Sequence, residues 1–435
     1  MREPPPTTQA SDPSPTAPAV RRTTVSVSVV DGDTGRRVEN ASVTAEGANR
    51  VGRGLFALSR PARATVWAPH YETRTFVLPV RYPRVAVRLY RPGGQWLMYG
   101  VDASRTQSHP GIHLRPPFRV VWSRDLEGLL EFPAVVADGI AYISNLHGHL
   151  FALSMDTGKT LWQFDMHSYR EASSPAVVGD VVVAHSWRGR VFVLDRTTGQ
   201  LRWSWGAAGG IESSPVVRHG IDYFGDWAGN VYALDLGRRA LRWTHRDGCK
   251  ITASAAVAGR TVFIGDYCGR VLALAAATGS LRFAASAASP VYGTAAVAGG
   301  RVFVPSRDDG SLVALTTRGR RLWSVWTGAY VYSAPAVWNG RVFFGSYNGF
   351  LYCVSAATGA TLWKVYAGGR ISGSPTVIDG IVYAGSFAHR IVGVDARTGR
   401  VVFRFPHGEY VAVSGNRGRL LLYGWSSVWA VEPRR

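Results

Sequence analysis

Several things are scarce in this chain of 435 residues. It has three cysteines (Cys249, Cys268 and Cys353), so no zinc-ligand spacing and no adjacent cysteine pair can be drawn from it. Charged residues make up only 18% while glycine reaches 49, which excludes a coiled coil. No run of about 18 apolar residues occurs, which excludes a membrane-spanning helix. Met1–Val20 lacks the charged-then-apolar order of a secretory leader. Lysine is nearly absent (Lys159, Lys250, Lys364), so the formal net charge of +20 is carried by arginine.

What is present points to a packed, aromatic, β-rich protein. Hydrophobic residues reach 46%, enough to bury a core, with 15 Trp, 18 Tyr and 17 Phe. Residues 1–22, beginning MREPPPTTQASDPSP, are Pro/Ser/Thr-rich and read as a disordered linker, with two readings open: a tether whose N-terminal anchor is missing from this chain, or a floppy tail. Residues 23–92 change character. Val25-Ser-Val-Ser-Val-Val30 alternates, Asp31-Gly-Asp-Thr-Gly35 is a turn cluster, and short runs follow at Val43, Ala64, Thr75 and Val85. That pattern predicts a small β-sandwich. The stretch VSVVDGDTGRRVENASVTA resembles the opening of transthyretin-like or carboxypeptidase-regulatory-like domains, which implies a spacer or adhesion module.

Residues 93–435 repeat. Trp122, Trp162, Trp203, Trp243, Phe283, Trp323, Trp363 and Phe403 stand 40 or 41 residues apart. Between them one script recurs, as in Ser333-Ala-Pro-Ala-Val337, Asn339-Gly340, Arg341-Val-Phe-Phe-Gly345, Asn348-Gly349, Phe350-Leu-Tyr-Cys-Val354, Thr358-Gly359 and Thr361-Leu-Trp363. Apolar alternation broken by Gly-bearing turns predicts a four-stranded meander. Such a unit buries both faces only by stacking on its neighbours, hence an all-β, eight-bladed β-propeller preceded by the sandwich. The eighth unit stops after its third strand, so the segment 118–122 is expected to supply the fourth and close the ring. The motif S-P-x-V…G-x-V-Y/F-x-G…Y-A-L-D-x-x-T-G-x-x-x-W resembles the PQQ-like repeat family. That family holds quinoprotein dehydrogenases and non-enzymatic propellers, among them an outer-membrane barrel-assembly lipoprotein.

The resemblance implies, for an enzyme, a quinone with Ca²⁺ held by Glu and Asn, a catalytic Asp and often a Cys pair. The acids at the axial mouth (Glu131, Glu171, Glu212, Glu409) sit at unequal offsets and form no evident ligand set. The pairs Ser173-Ser174 and Ser213-Ser214 lack a His/Asp partner and repeat as fold signature. No catalytic, cofactor-binding or metal residue is assigned, no cofactor is expected, and the balance weighs against an enzyme. The candidate binding face is aromatic. Trp187, Trp227, Tyr267, Tyr347 and Phe387 recur at intervals of 40 with Arg307 in the series, joined by Tyr292, Tyr332 and Tyr410. Two readings stay open: packing between blades, or a surface for a ligand or partner. Cys249 and Cys268 fall on one face within reach of a disulfide, the alternative being two free thiols. Arginines spread over the blades with no nucleic-acid motif, which favours weak attraction to anionic polymers or lipids. The reading that results is a monomeric, extracytoplasmic scaffold of the bacterial envelope or exterior, binding a protein or glycan. The alternatives are a PQQ-dependent oxidoreductase and a carbohydrate-binding module or lyase.

Overall fold

A computed structural model describes residues 22–171 and 173–434. The linker reading of residues 1–22 lies, but for Arg22, outside the described residues. The chain divides into two compact units, Met1–Leu89 and Tyr90–Arg435.

The first unit holds two sheets over one core. One has four strands, ordered Asn49–Gly52, Leu55–Leu58, Thr23–Asp31, Arg84–Leu89; the other has three, Ser42–Ala45, Ala62–Trp67 and Arg74–Leu78. Thr23–Asp31 alternates exposed and buried residues, with Val25, Val27 and Val29 turned into a core shared with Phe56, Val66 and Leu78. The strands Asn49–Gly52 and Leu55–Leu58 escape the sequence pattern, since neither is rich in β-branched residues.

The second unit is a ring of antiparallel meanders. The first is Val135–Ala137, Ile140–Ser144, His149–Ser154 and Thr160–Asp165, each paired with the next. Six more sheets repeat this order, and an eighth joins Val413–Gly415, Leu420–Tyr423 and Ser427–Pro433 to Phe118–Asp125. The first strands of neighbouring sheets adjoin, and Val413–Gly415 adjoins Val135–Ala137. Each first strand is only three residues long and begins about three positions after the Ser-Pro-type residues that mark it in the sequence.

Two local devices build the stack. The first is the turn between the first two strands. At Asn339-Gly340 and Asp379-Gly380 both residues have positive φ, the twist-compatible hairpin geometry that Asn, Asp and Gly tolerate. The second joins neighbours. The Trp243 indole donates to Ala276 O at 3.0 Å and Trp323 to Ala356 O at 3.2 Å, each in the following sheet. The ring then covers the Thr-Gly turn there: a Cβ at Gly279 would sit 2.5 Å from Trp243, and one at Gly359 2.8 Å from Trp323. The repeated Trp and the repeated Gly are two halves of one contact.

Candidate functional site

The site is built on loops that enter and leave the ring at one end. In most sheets the turn between the second and third strands is tied by a backbone bond to the incoming loop. Trp227 N donates to Gly210 O, Tyr267 N to Lys250 O, Tyr347 N to Tyr330 O and Phe387 N to Arg370 O, all at 2.9 to 3.0 Å. That recurring bond sets the aromatic side chains at equivalent places around the axis.

Repeated placement yields a continuous arc. Trp187 meets Trp227 at 5.0 Å between ring centroids, and Lys250 Nζ bridges Trp227 (4.3 Å) and Tyr267 (5.1 Å). Tyr267 meets Tyr292 at 6.4 Å, and Tyr292 meets Tyr332 at 5.3 Å. Arg307 fills the gap in the aromatic series by lying over both Tyr267 (5.4 Å) and Tyr332 (5.9 Å). Tyr332, Tyr347, Phe387 and Tyr410 follow at 4.8, 5.9 and 4.6 Å, and Tyr410 reaches Trp425 at 6.1 Å. All eight candidate residues are half-buried, so each packs on the next sheet and still shows a face to solvent. Partial burial fits packing between sheets and leaves part of each side chain open to solvent. Trp425 and the exposed Tyr330 extend the arc; they went unnoticed because they break the interval of 40.

At the centre lies a cavity of about 100 Å³, lined at its mouth by Glu131, Glu212, Tyr292, Tyr332 and Tyr410 and deeper in by Tyr99, Gln107 and Thr252. Glu212 accepts the Tyr292 hydroxyl at 2.6 Å and the Trp227 indole N–H at 3.2 Å. Burial pushes the Glu212 carboxyl upward despite those donors. Burial and the neighbouring Glu212 push Glu131 up to about 6. Glu171 is buried and pushed up to about 8, chiefly by desolvation. Glu409 pairs with His389 at 2.5 Å. The four acids thus divide: Glu131 and Glu212 share the cavity, while Glu171 and Glu409 do not line it.

The far side of the cavity is closed by a segment whose role the sequence hid. Residues 96–107 run around the axis, and their carbonyls accept N–H groups from the first strands. Val136 binds Trp96, Val177 binds Leu97, Val257 binds Ala103, Val297 binds Ser104, Val337 binds Thr106 and Val377 binds Gln107, at 2.6 to 2.9 Å. These valines are the periodic V of the repeat. The third sheet is met differently. Arg105, fully buried, donates Nη2 to Ser214 O and Pro215 O, Nε to Ala255 O and Nη1 to Tyr99 O. Desolvation lowers this guanidinium to about 10.

Cys249 and Cys268 are joined as a disulfide with Cα atoms 5.9 Å apart. Cys353 is a buried free thiol raised to about 11 by desolvation. Asp247 and Asp266 approach the disulfide, yet both carboxylates are held by Arg270 at 2.7 and 2.8 Å.

A quinone with its cation does not fit these residues. The cavity is well below the roughly 300 Å³ at which cofactor sites begin. A hard cation wants several converging ionised oxygens, whereas Glu212 is engaged by two donors and Glu131 is raised.

Comparison with known proteins follows the fold. The repeat family described as outer membrane protein assembly factor BamB matches residues 119–218, 228–335 and 309–424. A 1-butanol dehydrogenase (cytochrome c) of Thauera butanivorans is 30% identical over 130 residues, 26% of this chain and 19% of that protein. Quinohemoprotein alcohol dehydrogenase ADH IIB of Pseudomonas putida is 24% identical over 34% of this chain and 24% of its own length. The matches thus span a quarter or less of these curated relatives. Among solved structures, BamB from Moraxella catarrhalis superposes with a TM-score of 0.62 at 18% identity, covering 74% of this chain and 99% of that one. Quinohemoprotein alcohol dehydrogenase from Comamonas testosteroni gives 0.67 at 14% identity, covering 79% and 81%. At those identities the likeness is one of fold.

Proposed function

The chain belongs to the repeat-propeller family described as outer membrane protein assembly factor BamB, and on that premise we propose that it is a non-enzymatic, extracytoplasmic binding scaffold that presents one end of its ring to a protein partner. The observation that carries this reading is the arc from Trp187 to Trp425, a run of half-exposed rings interleaved with Lys250 and Arg307. Aromatic residues and arginine are enriched at interfaces, and Tyr and Trp offer large area and polar tips at low entropic cost. The Cys249–Cys268 disulfide supports an oxidising compartment. Among the described residues no helix is long and apolar enough to cross a membrane.

The test is capture of partners from envelope extracts with the intact chain and with Trp227→Ala/Tyr330→Ala. A partner retained by the first and lost by the second supports the proposal; equal capture by both refutes it. The competing oxidoreductase reading draws on the names of the curated relatives. Dye reduction on adding a quinone and Ca²⁺ tests it, and robust turnover would displace the scaffold reading.

A further inference from the structure

The axial cavity holds polar groups that the fold leaves unmatched. Gln107 and Thr252 line it and are 1% and 5% exposed. Gln107 Nε2 and Thr252 Oγ1 make no hydrogen bond to any described residue. Each lies beside a phenol, Tyr99 and Tyr267 respectively, close enough to favour its ionised form without the geometry of a bond. At the mouth, the half-buried Glu131 carboxyl is raised by burial and by the charge of Glu212. Buried polar atoms without partners are costly, so Gln107 Nε2 and Thr252 Oγ1 at one cavity mark a place where a partner is missing.

The donor and acceptor pattern narrows its chemistry. Gln107 Nε2 is a donor and needs an acceptor, Glu131 is an acceptor when ionised and needs a donor, and the Thr252 hydroxyl takes either role. An ammonium or guanidinium offers donors only, and leaves Gln107 unmet. A carboxylate or phosphate offers acceptors only, and would face Glu131 and Glu212 at close range. Size removes a whole sugar ring: about 100 Å³ matches the share of roughly three waters. A carboxamide is small, planar and bifunctional, and its flat faces suit the Phe132, Tyr292, Tyr332 and Tyr410 rings that line the same cavity.

We infer that the axial cavity receives one carboxamide group, an Asn or Gln side chain or a backbone amide at the tip of a partner's loop, held between Gln107, Thr252 and Glu131. This rests on the scaffold reading for its source, and the cavity shares Tyr292, Tyr332 and Tyr410 with the aromatic arc. The amide carbonyl accepts from Gln107 Nε2 and its N–H group donates to Glu131, with Thr252 completing the contact.

An isosteric set tests it on the intact chain by ligand-observed NMR: propionamide, propionate, propylammonium and 1-propanol. Propionamide is expected to bind at about millimolar strength, at least about tenfold more tightly than the other three. Thr252→Val and Glu131→Gln, each confirmed folded by circular dichroism, should weaken it about fivefold or more. Tyr82→Ala, at an exposed residue of the first unit, should leave it unchanged. Two capped peptides, Gly-Asn-Gly and Gly-Gly-Gly, then separate the sources: preference for the first assigns a side chain, equal binding a backbone amide. Stronger binding of propylammonium or propanol, no binding of propionamide at about 100-fold above millimolar, or no effect of either cavity variant would each overturn the inference. Failure here with arc-dependent partner capture intact removes this site and leaves the scaffold reading standing.

Discussion

The Tyr292 hydroxyl lies 2.6 Å from Glu212 Oε1, so the loop entering the fifth sheet is pinned to the loop entering the third across the fourth. A residue separation of 80 becomes a direct contact at the mouth of the axial cavity. Burial and the Glu212 charge both raise the Tyr292 phenol, so it stays a donor throughout the physiological range.

Removing that donor should loosen the mouth. Tyr292→Phe strips Glu212 of its shorter hydrogen bond and is expected to cost about 1–3 kcal/mol in chemical denaturation. Glu212→Gln alone should cost less, because the amide oxygen still accepts. A double-mutant cycle gives the coupling, and additivity of the two changes would show that the bond carries no weight.

Arg105 should be the most sensitive position in the segment that closes the axis. Its guanidinium holds the carbonyls of Tyr99, Ser214, Pro215 and Ala255 in a site with no exposure. Arg105→Met leaves those four acceptors without it and should cost about 3–5 kcal/mol. Arg105→Lys should rescue little, since three donors on one nitrogen do not reproduce the fork. Melting temperatures of the three proteins check this.

Glu171 predicts a pH dependence of a stated sign. Its folded pKa, about 8, lies above the ordinary carboxyl value of 4.5. Between those values the folded state binds the extra proton, so the contribution of Glu171 to stability is complete below about pH 4.5 and is lost as pH rises toward 8. Glu171→Gln should flatten this decline, by an amount on the order of a few kcal/mol in full. Urea midpoints at pH 5 and 8 for both proteins decide it; an unchanged difference would show that Glu171 is not its source.

The cysteines give a clean count. Under denaturing, non-reducing conditions one thiol should react, Cys353, and three after reduction. The disulfide closes a loop with a separation of 19 residues, so reduction should cost about 3 kcal/mol. Three reactive thiols before reduction would contradict the bond.

Much of this molecule was written in local pattern. The Asn-Gly and Thr-Gly turns, the alternating strands and the interval of 40 each describe a contact repeated between adjacent sheets, as at Trp323 over Gly359. A contact repeated around a ring prints itself on the sequence. The series Trp187, Trp227, Tyr267, Arg307, Tyr347 and Phe387 was legible for the same reason: all but Trp187, which is held by the Glu171 carboxylate, are set by one backbone bond to their own incoming loop.

Other features belong to the tertiary structure alone. Residues 96–107 meet six strands through backbone carbonyls, and a carbonyl has no side-chain signature. Arg105 reads in sequence as one arginine among many, and only the closed ring surrounds it with acceptors. Glu131, Glu171, Glu212 and Glu409 look alike as letters. Their different fates follow from burial and from neighbours dozens of residues away: Tyr292 for Glu212, the carboxylate of Glu212 for Glu131. Sequence by itself determined the repeat, the turns and the ring of aromatics, because those are short-range and periodic. The cavity, its unmatched Gln107 and Thr252 and the charge state of its acids were decided only when eight sheets closed on one axis, because each depends on a single, unrepeated meeting of distant residues.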